Sequence, residues 1–237
     1  KQASLEGVAK PEVITSCCIR ILTHSQFTNK TDVFISYIKC DYRILLLLLH
    51  TKFNVMIYNE TEIKGVYVIE PRVFNDSRGY FFEAFKQEEF DAHISGVRFV
   101  QDNESKSGRG VLRGLHYQKG EFSQAKLVRV IKGKVLDVAV DIRKGSETFG
   151  KHVMVELSED NKRQFFIPRG FAHGFLVLSD EAIFTYKVDN VYAPQSEASI
   201  RFDDPDLGIE WPMAADEIQT SEKDMKAKWL KDAEVFE

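Results

Sequence analysis

The sequence predicts a mainly β protein, a sandwich or barrel with a few short helices. Six segments rich in Val, Ile, Leu and Phe follow one another at short intervals between residues 126 and 188. Turn-forming residues separate them, as at Lys132-Gly133 and Ser179-Asp180. Strands of this length and spacing are typical of all-β sandwiches and barrels, and nothing in the pattern resembles βαβ alternation.

Apolar runs and the turns between them locate the strands along the chain. The first two are predicted at 66–70 and 80–85, on either side of a turn-like segment at 75–79. The later ones are predicted at 126–131, 134–142, 151–157, 163–167, 173–178 and 182–188. Apolar and polar residues alternate in part of 134–142, which indicates a strand with one buried face.

Two segments are predicted to be helical. Residues 87–93 are predicted as one short helix. The C-terminal segment 221–231 is predicted as a second helix because Ser221 is a favourable N-cap and because Glu222 and Asp224 put negative charge into the first turn.

The composition of the chain changes near residue 55. Residues 1–55 hold all three Cys, only one of the 14 Gly and one of the six Pro, and they carry a net charge of +3 against −7 for residues 56–237. Met56 is the first Met, and regular patterning begins just after it. We therefore expect two parts: an N-terminal extension of unknown structure at 1–55 and one folded domain at 56–237.

Three interpretations of residues 1–55 stay open. The segment is an appendage that packs or binds a partner, or a flexible extension, or upstream sequence that is not native to a domain starting at Met56. Its longest apolar run, residues 44–49, has six residues, whereas a bilayer-spanning helix needs about 20. This run is also too far from the start for a signal peptide, so we expect no membrane partner.

Charge and cysteine content exclude several classes of protein. The net charge is −4, so there is no basic footprint for nucleic acid. Cys17, Cys18 and Cys40 form neither a disulfide framework nor a CxxC metal motif. A reducing compartment, the cytoplasm, is the predicted location.

Two segments of the second part contain residues suited to chemistry. One is Val111-Leu-Arg-Gly-Leu-His-Tyr-Gln118; the other is Phe166-Ile-Pro-Arg-Gly-Phe-Ala-His-Gly-Phe175, whose Pro-x-Gly-x-x-His pattern resembles the second motif of the cupin superfamily. Metal-binding cupins commonly use a His-x-His pair, but here Gln118 takes the place of the second His. Even with Glu121 nearby, the ligand set is incomplete, and no metal site is predicted.

Residues 56–237 resemble the dTDP-4-dehydrorhamnose 3,5-epimerase family, sugar-nucleotide epimerases with a cupin-like jelly-roll fold. The two segments above match the family, and further matches follow in family order at 78–83, 101–103, 126–129, 137–143, 186–187, 192–194 and 204–212. No segment is decisive alone, but together they are highly specific. The resemblance implies a jelly-roll β-sandwich or barrel, and residues 1–55 have no counterpart in it.

The resemblance also implies a reaction and four catalytic residues. The substrate is a dTDP-4-keto-6-deoxy sugar, whose C4 ketone acidifies the protons on C3 and C5. A base removes such a proton, and an acid on the other side reprotonates the opposite face. His116 matches the family's base, Asp224 the carboxylate that orients it, and Tyr186 the acid; Lys126 is a plausible stabiliser of the enolate.

Further matches concern substrate binding and assembly. Arg113 and Arg78 match positions that contact phosphate, and Tyr192 matches an aromatic residue that stacks on thymine. The other matched binding positions are Glu83, Gln101, Asp102, Asn103, His173, Glu197 and Lys223. In this family part of the site comes from the partner subunit, which implies a homodimer. The reaction requires neither a redox cofactor nor a metal.

Three alternatives to double epimerisation stay open from the sequence. A mono-epimerase acting at C3 or C5, or a sugar-ketone isomerase, would share the base and the nucleotide pocket. A metal-dependent cupin belongs to a different class, against which Gln118 argues. A non-catalytic sugar-nucleotide-binding cupin would bind ligand without proton exchange.

Overall fold

A computed structural model describes residues 56–237 of the chain. The interpretations of residues 1–55 and of their apolar run lie outside the described residues. Within residues 56–237, no helix is long and apolar enough to cross a membrane.

Thirteen strands and two α-helices form the described part. The strands are β1 (Met56–Glu60), β2 (Tyr67–Pro71), β3 (Phe74–Asp76), β4 (Gly79–Phe81), β5 (Gln101–Gly108), β6 (Leu112–Gln118), β7 (Lys126–Lys132), β8 (Lys134–Asp141), β9 (His152–Ser158), β10 (Gln164–Ile167), β11 (Phe171–Val177), β12 (Glu181–Val188) and β13 (Glu197–Ser199). The helices are α1 (Gln87–His93) and α2 (Glu222–Met225).

Two antiparallel sheets hold most of the strands. The first has the order β1-β2-β10-β7-β12-β5, the second the order β13-β6-β11-β8-β9, and β3 and β4 form a separate hairpin. Neighbours in a sheet are often far apart in sequence, so the sheets depend on long-range pairing. The predicted mainly β sandwich is confirmed.

The core lies between the two sheets. Inward-facing Phe165 and Phe184 of the first sheet pack with Val135, Phe171 and Phe175 of the second. Because side chains alternate across a strand, each sheet has a second face that needs cover. The helix α1 covers part of the first sheet through Phe90, and the C-terminal segment covers the second through Leu230.

Strands β6 and β11 approach each other closely at two glycines. A Cβ on Gly114 would meet the Gly174 Cα at 2.5 Å, and one on Gly174 would meet the Arg113 carbonyl oxygen at 2.8 Å. The pairing register shifts at this point, between His173 and Phe175. Glycine therefore permits the contact that brings His116 opposite His173.

Two sequence-based element predictions are wrong in extent. The helix predicted at 221–231 ends at Met225, because the chain beyond it pairs with the segment after β13: Arg201 N–H donates to the Lys228 carbonyl at 2.9 Å. The strand predicted at 80–85 is only Gly79–Phe81, which pairs with β3 alone.

Candidate active site

Both sheets contribute residues to a cavity of about 170 Å³ inside the sandwich. Its floor is aromatic, formed by Phe175 and Phe184, whose rings stack at 4.1 Å between centroids. Polar and charged side chains form the rest of the lining: Ser105, Arg113, His116, Lys126, His173 and Tyr186. Five of these six were predicted site residues, so the fold brings together positions that span 74 residues of sequence.

His116 and Asp224 form a close pair at this cavity. The His116 Nε2 lies 2.6 Å from an Asp224 carboxylate oxygen, although the residues are 108 positions apart. The histidine side chain is about one-third exposed, whereas Asp224 is buried. The predicted base is thus accessible while its predicted orienting partner is shielded.

The N-terminus of α2 holds Asp224 in position. Ser221 is the N-cap, and its hydroxyl accepts a hydrogen bond from the Asp224 N–H at 3.1 Å. Burial raises the pKa of the Asp224 carboxyl, but the hydrogen bond and charge of His116, with smaller contributions from Ser221, outweigh it, and the pKa is lowered overall. Asp224 is therefore a carboxylate that accepts a hydrogen bond from the His116 ring N–H.

A second histidine–aspartate pair, His173 with Asp137, contacts Lys126. The His173 Nε2 lies 2.9 Å from Asp137, and its Nδ1 lies 3.5 Å from the Lys126 Nζ. If Nε2–H donates to Asp137, the Nδ1 lone pair faces the ammonium group. Burial lowers the pKa of Lys126 to about 8, against the opposing charges of Asp137 and Glu197.

Asp137 is a functional candidate that the sequence analysis missed. It is fully buried, and it stands on β8 between Val135 and Ala139, both in the core between the sheets. An acidic residue at an inward position of an apolar strand was the signal that could have identified it, because buried carboxylates need partners. Burial lowers the pKa of its partner His173. The charge and hydrogen bond of Asp137 oppose this, but burial, aided by the Lys126 charge, outweighs them.

Tyr186 lies on the sheet opposite His116. It is on β12, paired with Asn103 of β5, whereas His116 is on β6 of the other sheet. Burial raises the pKa of the Tyr186 hydroxyl, and the nearby Arg113 opposes this. Arg113 is itself oriented by a 3.0 Å hydrogen bond from its Nε to the Ser107 hydroxyl. The phenol is therefore protonated near neutral pH and has a cation beside it.

Tyr192, Glu197 and Lys223 meet beside the cavity. The Tyr192 hydroxyl donates to Glu197 at 2.9 Å, and the Lys223 Nζ lies 2.7 Å from the same carboxylate oxygen. Burial raises the pKa of Glu197, but Lys223 and Tyr192 outweigh it, and the pKa is lowered. The Tyr192 residue is 55% exposed, which leaves its ring open to a ligand.

Three predicted binding residues lie on β5. Gln101 and Asn103 share the face of β5 that carries Ser105, and the Gln101 side-chain amide donates to Asn103 at 2.8 Å. Asp102 is on the opposite face and pairs with Lys187. Asp102 is therefore not brought to the cavity of its own chain.

Arg78 and Glu83 also lie apart from the cavity lining. Arg78 is on the exposed β3–β4 hairpin and pairs with Asp76 at 2.6 Å. Glu83 follows the hairpin, and one of its carboxylate oxygens is buried with no hydrogen-bond partner among the described residues. Within residues 56–237, no group of three or more His, Cys, Asp and Glu side chains is arranged to hold a metal ion.

A family model described as dTDP-4-dehydrorhamnose 3,5-epimerase matches residues 60–232. The chain belongs to this family. The family member of Methanothermobacter thermautotrophicus is 53% identical over 178 residues, which are 75% of this chain and 96% of that protein. The Escherichia coli member is 57% identical over 157 residues, which are 65% of this chain and 84% of that protein.

Solved structures of epimerases share the fold. The dTDP-4-dehydrorhamnose 3,5-epimerase of Elizabethkingia anophelis is 52% identical with a TM-score of 0.73, over 76% of this chain and 98% of that one. The Legionella pneumophila enzyme, solved with dTDP-4-keto-L-rhamnose, is 50% identical with a TM-score of 0.73, over 76% and 95%. The family predicted from the sequence, its jelly-roll fold and its isomerase class are confirmed.

A mono-epimerase is also among the similar structures. A 3′-monoepimerase from Streptomyces bikiniensis, solved with dTDP-quinovose, is 36% identical with a TM-score of 0.68, over 73% of this chain and 87% of that one. Epimerases that differ in the number of inverted centres therefore share this fold.

Proposed function

We propose that this epimerase inverts C3 and C5 of dTDP-4-dehydro-6-deoxy-D-glucose to give dTDP-4-dehydro-L-rhamnose, in dTDP-rhamnose synthesis. One observation carries the proposal: His116, paired with buried Asp224, and Tyr186 line the same cavity from opposite sheets. Inversion requires a proton to leave one face of a carbon and another to reach the opposite face. A base and an acid on facing walls meet this requirement.

The first step in the proposed mechanism is deprotonation next to the ketone. Asp224 accepts a hydrogen bond from one ring nitrogen of His116, which leaves the other nitrogen with a lone pair for the sugar C–H. When His116 takes the proton, the Asp224 carboxylate stabilises the imidazolium that forms. Two such steps, one at C3 and one at C5, use the same base. Between them His116, which is about one-third exposed, gives its proton to water and Tyr186 regains one from water.

The enolate needs a positive charge beside its oxygen. Lys126 lines the cavity with His116, and its Nζ is 3.4 Å from the His116 carbonyl oxygen. An ammonium group in a partly dehydrated cavity stabilises developing negative charge more than it would in water. We assign Lys126 this role, with His173 as the residue that holds it.

Tyr186 supplies the proton to the opposite face. Its raised pKa keeps the hydroxyl protonated, and Arg113 beside it stabilises the phenolate left after transfer. For binding, we assign the phosphates to Arg113 and Lys223 and the thymine ring to Tyr192. Gln101, Asn103, His173 and Glu197 are the other substrate contacts that we propose within one chain.

We also propose a homodimer in which the β3–β4 hairpin reaches the partner's site. Arg78 is exposed on this hairpin, together with Phe74, Tyr80 and Phe81, which are 45%, 57% and 70% exposed. Mixing inactive Arg78→Ala and His116→Asn proteins tests this, because hybrid dimers would regain one intact site. If the mixture stayed inactive after subunit exchange, the assignment of Arg78 to the partner's site would be contradicted. The cytoplasmic location stays a prediction from the sequence.

The proposed reaction is tested by identifying its product. The purified protein is incubated with dTDP-4-dehydro-6-deoxy-D-glucose, and the sugar is followed by NMR. We expect inversion at both C3 and C5, abolished by His116→Asn and kept by His152→Asn, a change on the sheet-edge strand β9. Inversion at one carbon would indicate a mono-epimerase, and unchanged sugar would contradict the proposal.

A further inference from the structure

Gln118 joins two loops beside the cavity. It is the last residue of β6, two positions after His116, and it is only 5% exposed. Its Nε2 donates to the carbonyl oxygens of Phe122 at 2.7 Å and Val191 at 3.0 Å, and its Oε1 accepts from the Ala193 N–H at 2.7 Å. Two carbonyls and one N–H as partners fix the orientation of the carboxamide.

The two joined loops are the 119–125 segment before β7 and the 189–196 segment before β13. Other side chains add to the same connection. Asn190 donates to the Glu121 carbonyl at 2.8 Å, and Gln124 donates to the Asn190 carbonyl at 2.8 Å. Gln118 is the buried member of this group, and its side chain bonds to residues on both sides of Tyr192.

Tyr192 is consequently fixed at both of its ends. Its backbone lies between Val191 and Ala193, which Gln118 holds, and its hydroxyl is bonded to Glu197. Its ring is nevertheless exposed. An aromatic face held in place before a ligand arrives loses little conformational entropy on binding.

We propose that Gln118 is a positioning residue for nucleobase recognition: its carboxamide sets the ring of Tyr192 for stacking on the base of the nucleotide sugar. This inference rests on the proposed function. Metal-binding cupins have a second His at this position; in this chain Gln118 occupies it and orders a binding loop. Because Gln118 acts through Tyr192, we expect it to affect only ligands that carry an aromatic base.

The test compares two ligands, dTDP and inorganic pyrophosphate, by calorimetry. Gln118→Leu removes all three hydrogen bonds, and Gln118→Glu keeps the acceptor for Ala193 while losing both donated bonds. We expect either variant to weaken dTDP about three- to tenfold, a part of the usual stacking contribution, and to leave pyrophosphate unchanged. Steady-state assays should show a raised KM for the dTDP-sugar with kcat within about twofold.

Two controls separate positioning from general damage. Gln87→Leu removes a glutamine on α1 that donates to the Val97 backbone carbonyl. Gln87 does not line the cavity, so its loss should change the affinity for neither ligand. In a Tyr192→Ala background, Gln118→Glu should no longer change the affinity for dTDP, because the two substitutions weaken the same stacking interaction.

Equal weakening of dTDP and pyrophosphate, or an undiminished Gln118 effect without Tyr192, would overturn the proposal. Unchanged dTDP affinity in both folded Gln118 variants would overturn it too. If wild type instead bound pyrophosphate as tightly as dTDP, the nucleoside would contribute nothing to binding. That result would contradict the nucleotide-sugar substrate of the proposed function, and this inference with it.

Discussion

At the scale of single residues, each of the two histidines in the cavity is held by a carboxylate that water barely reaches. Asp224 holds His116, and Asp137 holds His173. The pairs differ in what lies beyond the ring: His116 is partly exposed, whereas His173 is buried against Lys126. The same pairing thus serves a proposed base in one case and the support of a proposed cation in the other.

Lys126 should give the enzyme a basic limb near pH 8. Its pKa is lowered to about 8, so the ammonium is present below this pH and lost above it. We expect kcat/KM to fall as pH rises through about 8, because the neutral amine cannot stabilise the enolate. Tyr186 does not produce this limb, since its pKa is raised above the ordinary 10.

The measurement is a pH profile of kcat/KM for wild type and Lys126→Arg. A guanidinium stays charged throughout, so any activity of the variant should persist above pH 8. Lys126→Met should lower kcat by about a hundredfold or more below pH 8, where the wild-type lysine is charged, and by less above it. An unchanged basic limb in Lys126→Arg would assign that limb to another group.

The sequence analysis identified some of these residues but not all of them. His116 and Asp224 are 108 positions apart, so neither composition nor spacing links them, and only the resemblance to a family named both. Asp137 was within a matched segment but received no role, because its partnership with His173 depends on the β8–β11 register. Long-range pairing of this kind is not encoded in any local pattern.

At the scale of elements, the approach of β6 to β11 sets the relative positions of His116 and His173. Gly174→Ala should destabilise the protein by about 1–3 kcal/mol, since the new Cβ would lie 2.8 Å from the Arg113 carbonyl oxygen and 3.0 Å from the Gly114 Cα. We also expect kcat to fall, because separating the strands moves both histidines. Urea unfolding and steady-state kinetics measure the two effects.

Gly108→Ala is the matched control for this prediction. Gly108 ends β5, and an added Cβ would meet only the Asp180 carbonyl oxygen, at 3.8 Å. Its stability and activity should stay close to wild type. If Gly174→Ala were as harmless, the close approach of the strands would not be what positions the site.

The strand predictions from residue 126 onward succeeded because apolar residues are dense there between turn-forming residues. The strands from β7 to β12 were predicted to within about two residues. Strand β5 was missed because its sequence, Gln-Asp-Asn-Glu-Ser-Lys-Ser-Gly, contains no apolar residue. Its polar side chains point toward the cavity on one face and outward on the other, so its strand character comes from pairing with β12.

At the scale of the whole molecule, one buried carboxylate should contribute strongly to acid sensitivity. Asp141 has a fully buried side chain that accepts hydrogen bonds from Arg143, Ser146 and Thr148. Burial alone would raise its pKa, but these bonds lower the pKa to about 2. The lowered pKa stabilises the fold fully above the ordinary value near 4, and the stabilisation is lost as pH falls toward 2.

We therefore expect Asp141→Asn to lower the free energy of unfolding by about 2 kcal/mol at pH 7, and by less as pH falls below about 4. Urea unfolding at pH 7 and at lower pH measures the difference. The control is Asp203→Asn, which breaks a more exposed pair with Arg201 and should cost less than about 1 kcal/mol. If Asp141→Asn lowered the free energy of unfolding equally at every pH, the acid sensitivity could not be assigned to Asp141.

The domain boundary predicted from composition leads to a test with a shortened chain. Residues 56–237 contain both sheets, the core and every proposed catalytic residue. We expect a protein of these residues alone to fold cooperatively and to keep kcat within about threefold of the full chain, by calorimetry and by NMR assay. Loss of folding or of turnover would show that residues 1–55 are needed.

The central claim is that His116 removes a proton on one side of the sugar while Tyr186 returns one on the other. Its most direct test is exchange in D2O with dTDP-4-dehydro-6-deoxy-D-glucose, followed at C3 and C5 by NMR. We predict deuterium at both carbons with wild type, none with His116→Asn, and exchange with far less inversion in Tyr186→Phe. Wild-type rates of exchange in His116→Asn, or no exchange by wild type that binds dTDP, would contradict the account.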